Sequence, residues 1–137
     1  MKSPDGTFEV ICSNYGEIRM GSPEFGSIEI VGSQFRPERR SFGEAMAFSP
    51  DSRFLAISEL VDASQPASRV VVFDLKKKIE RIVFSRDPSL IRKIDWPTRD
   101  EVRIHSWSLP GGDEHSSWRV SPDDLVSDQK PWWRFWA

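Results

Sequence analysis

Residues 47–58 read Ala47-Phe48-Ser49-Pro50-Asp51-Ser52-Arg53-Phe54-Leu55-Ala56-Ile57-Ser58, and after a polar loop containing Ser, Gln and Pro the chain resumes as Arg69-Val70-Val71-Val72-Phe73-Asp74-Leu75. Ser-Pro-Asp is a turn with a mechanism: proline presets φ at the first corner, and the Ser and Asp oxygens accept hydrogen bonds from the amides that follow. The two apolar runs are short, rich in β-branched and aromatic residues, and bounded by turn formers. That pattern predicts strands rather than a helix.

The same signal recurs. Ser3-Pro4-Asp5-Gly6-Thr7-Phe8 precedes Ser49-Pro50-Asp51-Ser52-Arg53-Phe54, and the opening triplet returns at Ser121-Pro122-Asp123, so a repeat must be considered first. Further strands are predicted at 7–11, 17–20, 26–31, 44–48, 80–85, 91–96, 101–107 and 117–120. With 54–58 and 69–75 they make roughly ten or eleven. Lys76-Lys77-Lys78, Pro97-Thr98-Arg99-Asp100 and Pro110-Gly111-Gly112-Asp113-Glu114 read as hairpin connections, which imply antiparallel neighbours. Residues 75–82 have some helix propensity but hold no helical apolar stripe. The expectation is an all-β chain of short antiparallel strands in two to three small sheets, open or sandwich-like rather than a closed ring.

Residues 44–85, with Phe48 to Ala56 and Val71 to Leu75 at their centre, resemble one blade of a β-propeller of the WD-repeat or TolB type. That resemblance implies a single β domain over 1–129, with blade-like units at about 1–43, 44–85 and 86–129. A propeller closes with four to eight blades, and the 137 residues hold three at most. The chain therefore has open edges, which must be covered or blunted. One expected cover is the tail 130–137, which puts four of the sixteen aromatics (Trp132, Trp133, Phe135 and Trp136) into five consecutive positions. It is expected to pack on the domain or on a partner.

Net charge is -2, with 19 Lys and Arg against 21 Asp and Glu, which argues against a basic nucleic-acid coat protein. No apolar run approaches the roughly 18 residues of a membrane helix, and the polar start Met1-Lys2-Ser3-Pro4-Asp5-Gly6 does not resemble a signal peptide. A soluble cytoplasmic protein is expected. The single Cys12 suits a reducing compartment and, in the run Val10-Ile11-Cys12, reads as a small core residue.

Nucleophilic, phosphate-binding and metal chemistry all lack a recognisable residue set. His105 and His115 flank the Gly111-Gly112 hairpin and are placed to face each other across two strands with Asp113 or Glu114 nearby, at a spacing that matches no standard ligand motif. No catalytic, cofactor or metal residue is assigned. Charge is unevenly distributed: residues 69–93 carry eight basic and three acidic side chains, and 95–128 carry eight acidic and three basic.

Met20-Gly21-Ser22-Pro23-Glu24-Phe25-Gly26, together with the Phe48–Ala56 and Val71–Leu75 segments, resembles small bacterial immunity proteins of polymorphic toxin and contact-dependent growth inhibition systems. The resemblance implies a non-catalytic, monomeric protein that neutralises a cognate toxin, a basic nuclease, by occluding its active site. Asp100, Glu101, Asp113, Glu114, Asp123 and Asp124 are the expected counter-charges. Trp118, Trp132, Trp133 and Trp136 are the expected apolar anchors. No membrane, nucleic acid or cofactor enters this reading. The alternative is a propeller-like scaffold for protein–protein interaction that completes a ring by oligomerisation.

Overall fold

The computed structural model describes residues 1–17, 24–33, 37, 40–62, 67–85, 89–108 and 112–120. The described residues form nine strands: β1 (Glu9–Glu17), β2 (Glu24–Val31), β3 (Phe42–Phe48), β4 (Phe54–Asp62), β5 (Ala67–Asp74), β6 (Ile79–Ser85), β7 (Ser89–Thr98), β8 (Glu101–Ser108) and β9 (Gly112–Arg119). They pair as two antiparallel meanders, one in the order β1-β2-β3-β4-β5-β6 and one in the order β7-β8-β9. The fold is all-β, open and sandwich-like, as expected. Among the described residues no helix is long and apolar enough to cross a membrane.

The apolar runs of β4 and β5 do not alternate with polar residues because both faces of these strands are buried. Phe54, Ala56, Val70 and Val72 point one way, into a cluster with Ile91, Ile94, Val102, Ile104 and Val120 from β7–β9 and the residue after it. Leu55, Ile57, Val71 and Phe73 point the other way, into a cluster with Val10, Ile28 and Ile30 of β1 and β2. The six-stranded sheet turns between β2 and β3, where the paired residues are Phe25 with Gly43 and Gly26 with Phe42. Tyr15 fits this bend. A side chain at Gly26 would run into its ring and the Ser13 carbonyl oxygen, and the Tyr15 hydroxyl donates to the Gly43 carbonyl oxygen at 3.2 Å. Burial, reinforced by Cys12 and Glu44, raises the Tyr15 pKa and keeps it a donor.

The sequence repeat is a structural repeat. In the first turn the Phe8 amide donates to Ser3 Oγ at 3.0 Å and the Thr7 amide to Asp5 Oδ1 at 2.8 Å. In the second, the Phe54 amide donates to Ser49 Oγ at 3.0 Å and the Arg53 amide to Asp51 Oδ1 at 3.2 Å. Gly6 and Ser52 occupy the same left-handed corner, at φ 78° and 65°. The turns also touch, through the Asp5 amide and Ser52 Oγ at 3.0 Å. The third copy, at 121–123, lies outside the described residues, as does the tail 130–137.

Three local expectations change. The strand expected at 7–11 runs on to Glu17 through a bulge between Ser13 and Gly16 with Asn14 at φ 57°, so Glu17 belongs to β1, and the rest of the strand expected at 17–20 lies outside the described residues. A bulge and a turn use the same residue types, so sequence alone splits the strand. β9 begins at Gly112 rather than Ser117, because Asp113 and Glu114, which read as turn residues, sit on an edge strand with water on one side. Cys12 is exposed rather than in the core; it lies in the stretch of β1 from Ile11 to Asn14 that is exposed throughout.

Candidate functional site

β8 alternates cleanly. Val102, Ile104 and Ser106 are buried against the core, which turns Glu101, Arg103, His105 and Trp107 outward. Directly paired residues share a face, so Arg119, Ser117, His115 and Asp113 of β9 stand beside them in that order. On the other side, Asp95, Lys93 and Leu90 of β7 are opposite Arg103, His105 and Trp107. One face of β7–β9 thus closes the core, and the other is a surface of charges and rings.

At its centre the His105 and His115 rings stack, with centroids 4.4 Å apart and planes inclined by 12°. His105 Nε2 lies 3.2 Å from Asp113 Oδ1, and Arg92 Nε lies 3.6 Å from the same carboxylate. Toward the far end Arg103 holds Asp95 with two hydrogen bonds, Nε donating to Oδ1 at 3.1 Å and Nη2 to Oδ2 at 2.5 Å. The hydrogen bond from Arg103 pulls the Asp95 pKa below its ordinary value, helped by the positive charges of Arg103 and Lys93.

The expected partner-binding residues are distributed as follows. Glu101 and Asp113 share the outward face, toward opposite ends. Glu114 and Trp118 lie on the reverse side of β9, opposite Ser106 and Val102, and Trp118 is 42% exposed. Asp100 sits in the β7–β8 turn, where Thr98 Oγ1 donates to its carboxylate at 2.7 Å. That hydrogen bond lowers its pKa. Asp123, Asp124, Trp132, Trp133 and Trp136 lie outside the described residues. The described acidic residues are interleaved with Arg92, Lys93, Arg103 and Arg119, so the surface is of mixed sign. Trp107, Arg92, Lys93 and Arg103 were not singled out from sequence. The alternation of Val102 and Ile104 with Arg103 and His105 was the signal that placed them outside.

Among the described residues no three His, Cys, Asp or Glu side chains are arranged to hold a metal ion. No protein-family model, curated protein or solved structure matches the chain.

Proposed function

We propose that the protein works by contact, capturing and neutralising a partner protein on the outward face of β7–β9. The partner class, a bacterial toxin of the nuclease type, follows from the resemblance of the Met20–Gly26, Phe48–Ala56 and Val71–Leu75 segments to immunity proteins. The observation that carries the reading is the face itself: Trp107, the stacked His105 and His115, and the Asp95–Arg103 and Asp113–His105 pairs are held on and beside β8, whose reverse side is buried in the core. Side chains fixed before binding lose less freedom on association. Aromatic and arginine side chains are the usual energetic anchors of protein interfaces. Fixed charges of both signs set orientation and partner choice more than raw affinity, and Glu101 and Asp113 supply the negative ends that a phosphate-binding cleft would meet.

The test is co-expression with a toxin domain encoded beside the gene, followed by co-purification and inhibition of its nuclease activity. Trp107→Ala combined with Asp113→Lys should abolish inhibition, while Cys12→Ser, on the β1–β2 hairpin, should leave it intact. Inhibition that survives the double substitution, or turnover by the isolated protein, overturns the reading.

A further inference from the structure

Among the described residues the open sheets present four edges, and three of them carry a covering segment, a bulge or a proline. Along β1, the Val10 amide donates to the Met1 carbonyl oxygen and the Ser3 amide to the Phe8 carbonyl oxygen, both at 2.8 Å, so the chain start covers part of that edge. β6 carries a register shift opposite Val70 and Val71. β7 carries two shifts, between Ile91 and Lys93 and between Asp95 and Thr98, together with Pro97. Bulges, prolines and lysines are the ordinary means of blunting an edge. β9 has no bulge, proline or lysine, and pairs with β8 without a shift; its charged side chains are Asp113, Glu114 and Arg119. Among the described residues β9 has a neighbour on one side only.

The groups that face the open side can be identified. The Val120 amide donates to the Asp100 carbonyl oxygen at 2.6 Å, so even-numbered residues turn their main chain toward β8. Because the ladder is regular, the N–H and C=O groups of Asp113, His115, Ser117 and Arg119 point away from it. This edge is complementary to itself. Read antiparallel about Ser116, Asp113 stands opposite Arg119, His115 opposite Ser117, Ser116 opposite itself and Glu114 opposite Trp118. A twofold axis perpendicular to the sheet keeps each residue on its own face and forms the Asp113–Arg119 pair twice. Centring on His115 instead sets Asp113 against Ser117, and centring on Ser117 sets His115 against Arg119. Neither satisfies both charges.

We infer that the edge of β9 left unpaired among the described residues is occupied by β9 of a second copy of this chain, paired antiparallel about Ser116, so that two β7–β9 sheets become one continuous sheet. The residues with outward-pointing main chain then form the hydrogen-bonded pairs. Ser116 forms a non-hydrogen-bonded pair with itself, and Trp118 gains the Glu114 stem of the second copy. This replaces the monomer expected from sequence. It goes beyond the proposed toxin binding, since it concerns the isolated chain, and it would place two of the outward faces side by side.

Sedimentation equilibrium of the isolated full chain tests it. The expected result is a reversible monomer–dimer equilibrium that Ser117→Pro shifts fully to monomer, because proline removes an outward-facing amide that β8 does not use. Asp113→Arg and Arg119→Asp each set like charges against each other and should each be monomeric. Mixed together they should form a heterodimer, since every facing pair is then Arg with Asp. In a Cys12→Ser background, Ser116→Cys should oxidise to a covalent dimer. A wild-type monomer at every concentration overturns the inference, as does a dimer indifferent to these changes or a failure of the mixed variants to associate.

Discussion

Arg53 grips Asp74 with two hydrogen bonds, Nε to Oδ1 at 3.2 Å and Nη2 to Oδ2 at 2.9 Å, and Asp74 is fully buried. The amides of Lys76 and Lys77 also donate to Asp74 Oδ1, at 3.1 Å each. One carboxylate therefore ties the repeated turn before β4 to the turn that closes β5 and β6. Truncating Arg53 would leave a buried charge without its partner, an effect of about 3–5 kcal/mol. Urea unfolding of Arg53→Ala should show a loss of that order, and Asp74→Ala, which leaves two turn amides unsatisfied, should also be strongly destabilised. A cost near zero for both would show that the clamp is ornamental.

Trp96 joins the two sheets. Its indole N–H donates to the Ala47 carbonyl oxygen at 2.9 Å, and its ring stacks on Phe54 at 5.9 Å between centroids. Trp96→Phe keeps a ring but loses the donor, and should cost about 1 kcal/mol. Trp96→Ala, which also removes packing against the core, should cost about 3 kcal/mol or more. The two midpoints in a denaturant titration check the order.

Acid should weaken the fold. Hydrogen bonds from the Thr7 amide, Ser3 and Ser52 hold Asp5 at about 2 against an ordinary 3.8. Burial pushes Glu59 up, but hydrogen bonds from Arg40 and Arg69 more than offset this and leave it below its ordinary 4.5. A carboxyl lowered in the folded state adds stability above its unfolded pKa, and that contribution is lost as pH falls through the folded value. Unfolding free energy should therefore decline below about pH 4.5 and continue down toward pH 2. Glu59→Gln and Asp5→Asn should each make the decline shallower, the Asp5 contribution being lost between about pH 3.8 and 2. Glu24, raised by sharing a hydrogen bond with Glu44, works in the opposite direction and gains as it protonates. A flat acid limb in the wild type would contradict the assignment.

For the proposed partner, Glu101→Lys and Asp113→Lys should slow association about tenfold or more at low salt, with a smaller effect at high salt. Dissociation should change less. Stopped-flow measurement over a salt series separates the two. Equal effects at all ionic strengths would mean that these residues act by local contact rather than by steering.

The fold class was legible because its signals are local. Ser3-Pro4-Asp5 and Ser49-Pro50-Asp51 mark turns by chemistry, and Val70-Val71-Val72-Phe73 marks a strand buried on both faces. What escaped was set at a distance. Cys12 has apolar neighbours in sequence, yet cover ends beside it, and that depends on how far the β1–β2 hairpin reaches over β4 and β5. Glu59, fully paired between Arg40 and Arg69, is a buried charge that no local pattern announces. The facing of His105 and His115 was legible because a regular hairpin fixes it. The mixed sign of the surrounding surface was not, since Arg92 and Lys93 come from β7, whose bulge shifts the register.

The narrow seam between β2 and β3, where Phe25 meets Gly43 and Gly26 meets Phe42, divides the molecule unequally. The hairpin on one side can peel away while the doubly covered strands stay shut, so the amides of Ser27 and Glu29, which face β1, should take up deuterium well before those of Val71 and Phe73. Loss of Tyr15, which bridges the seam, would widen that interval.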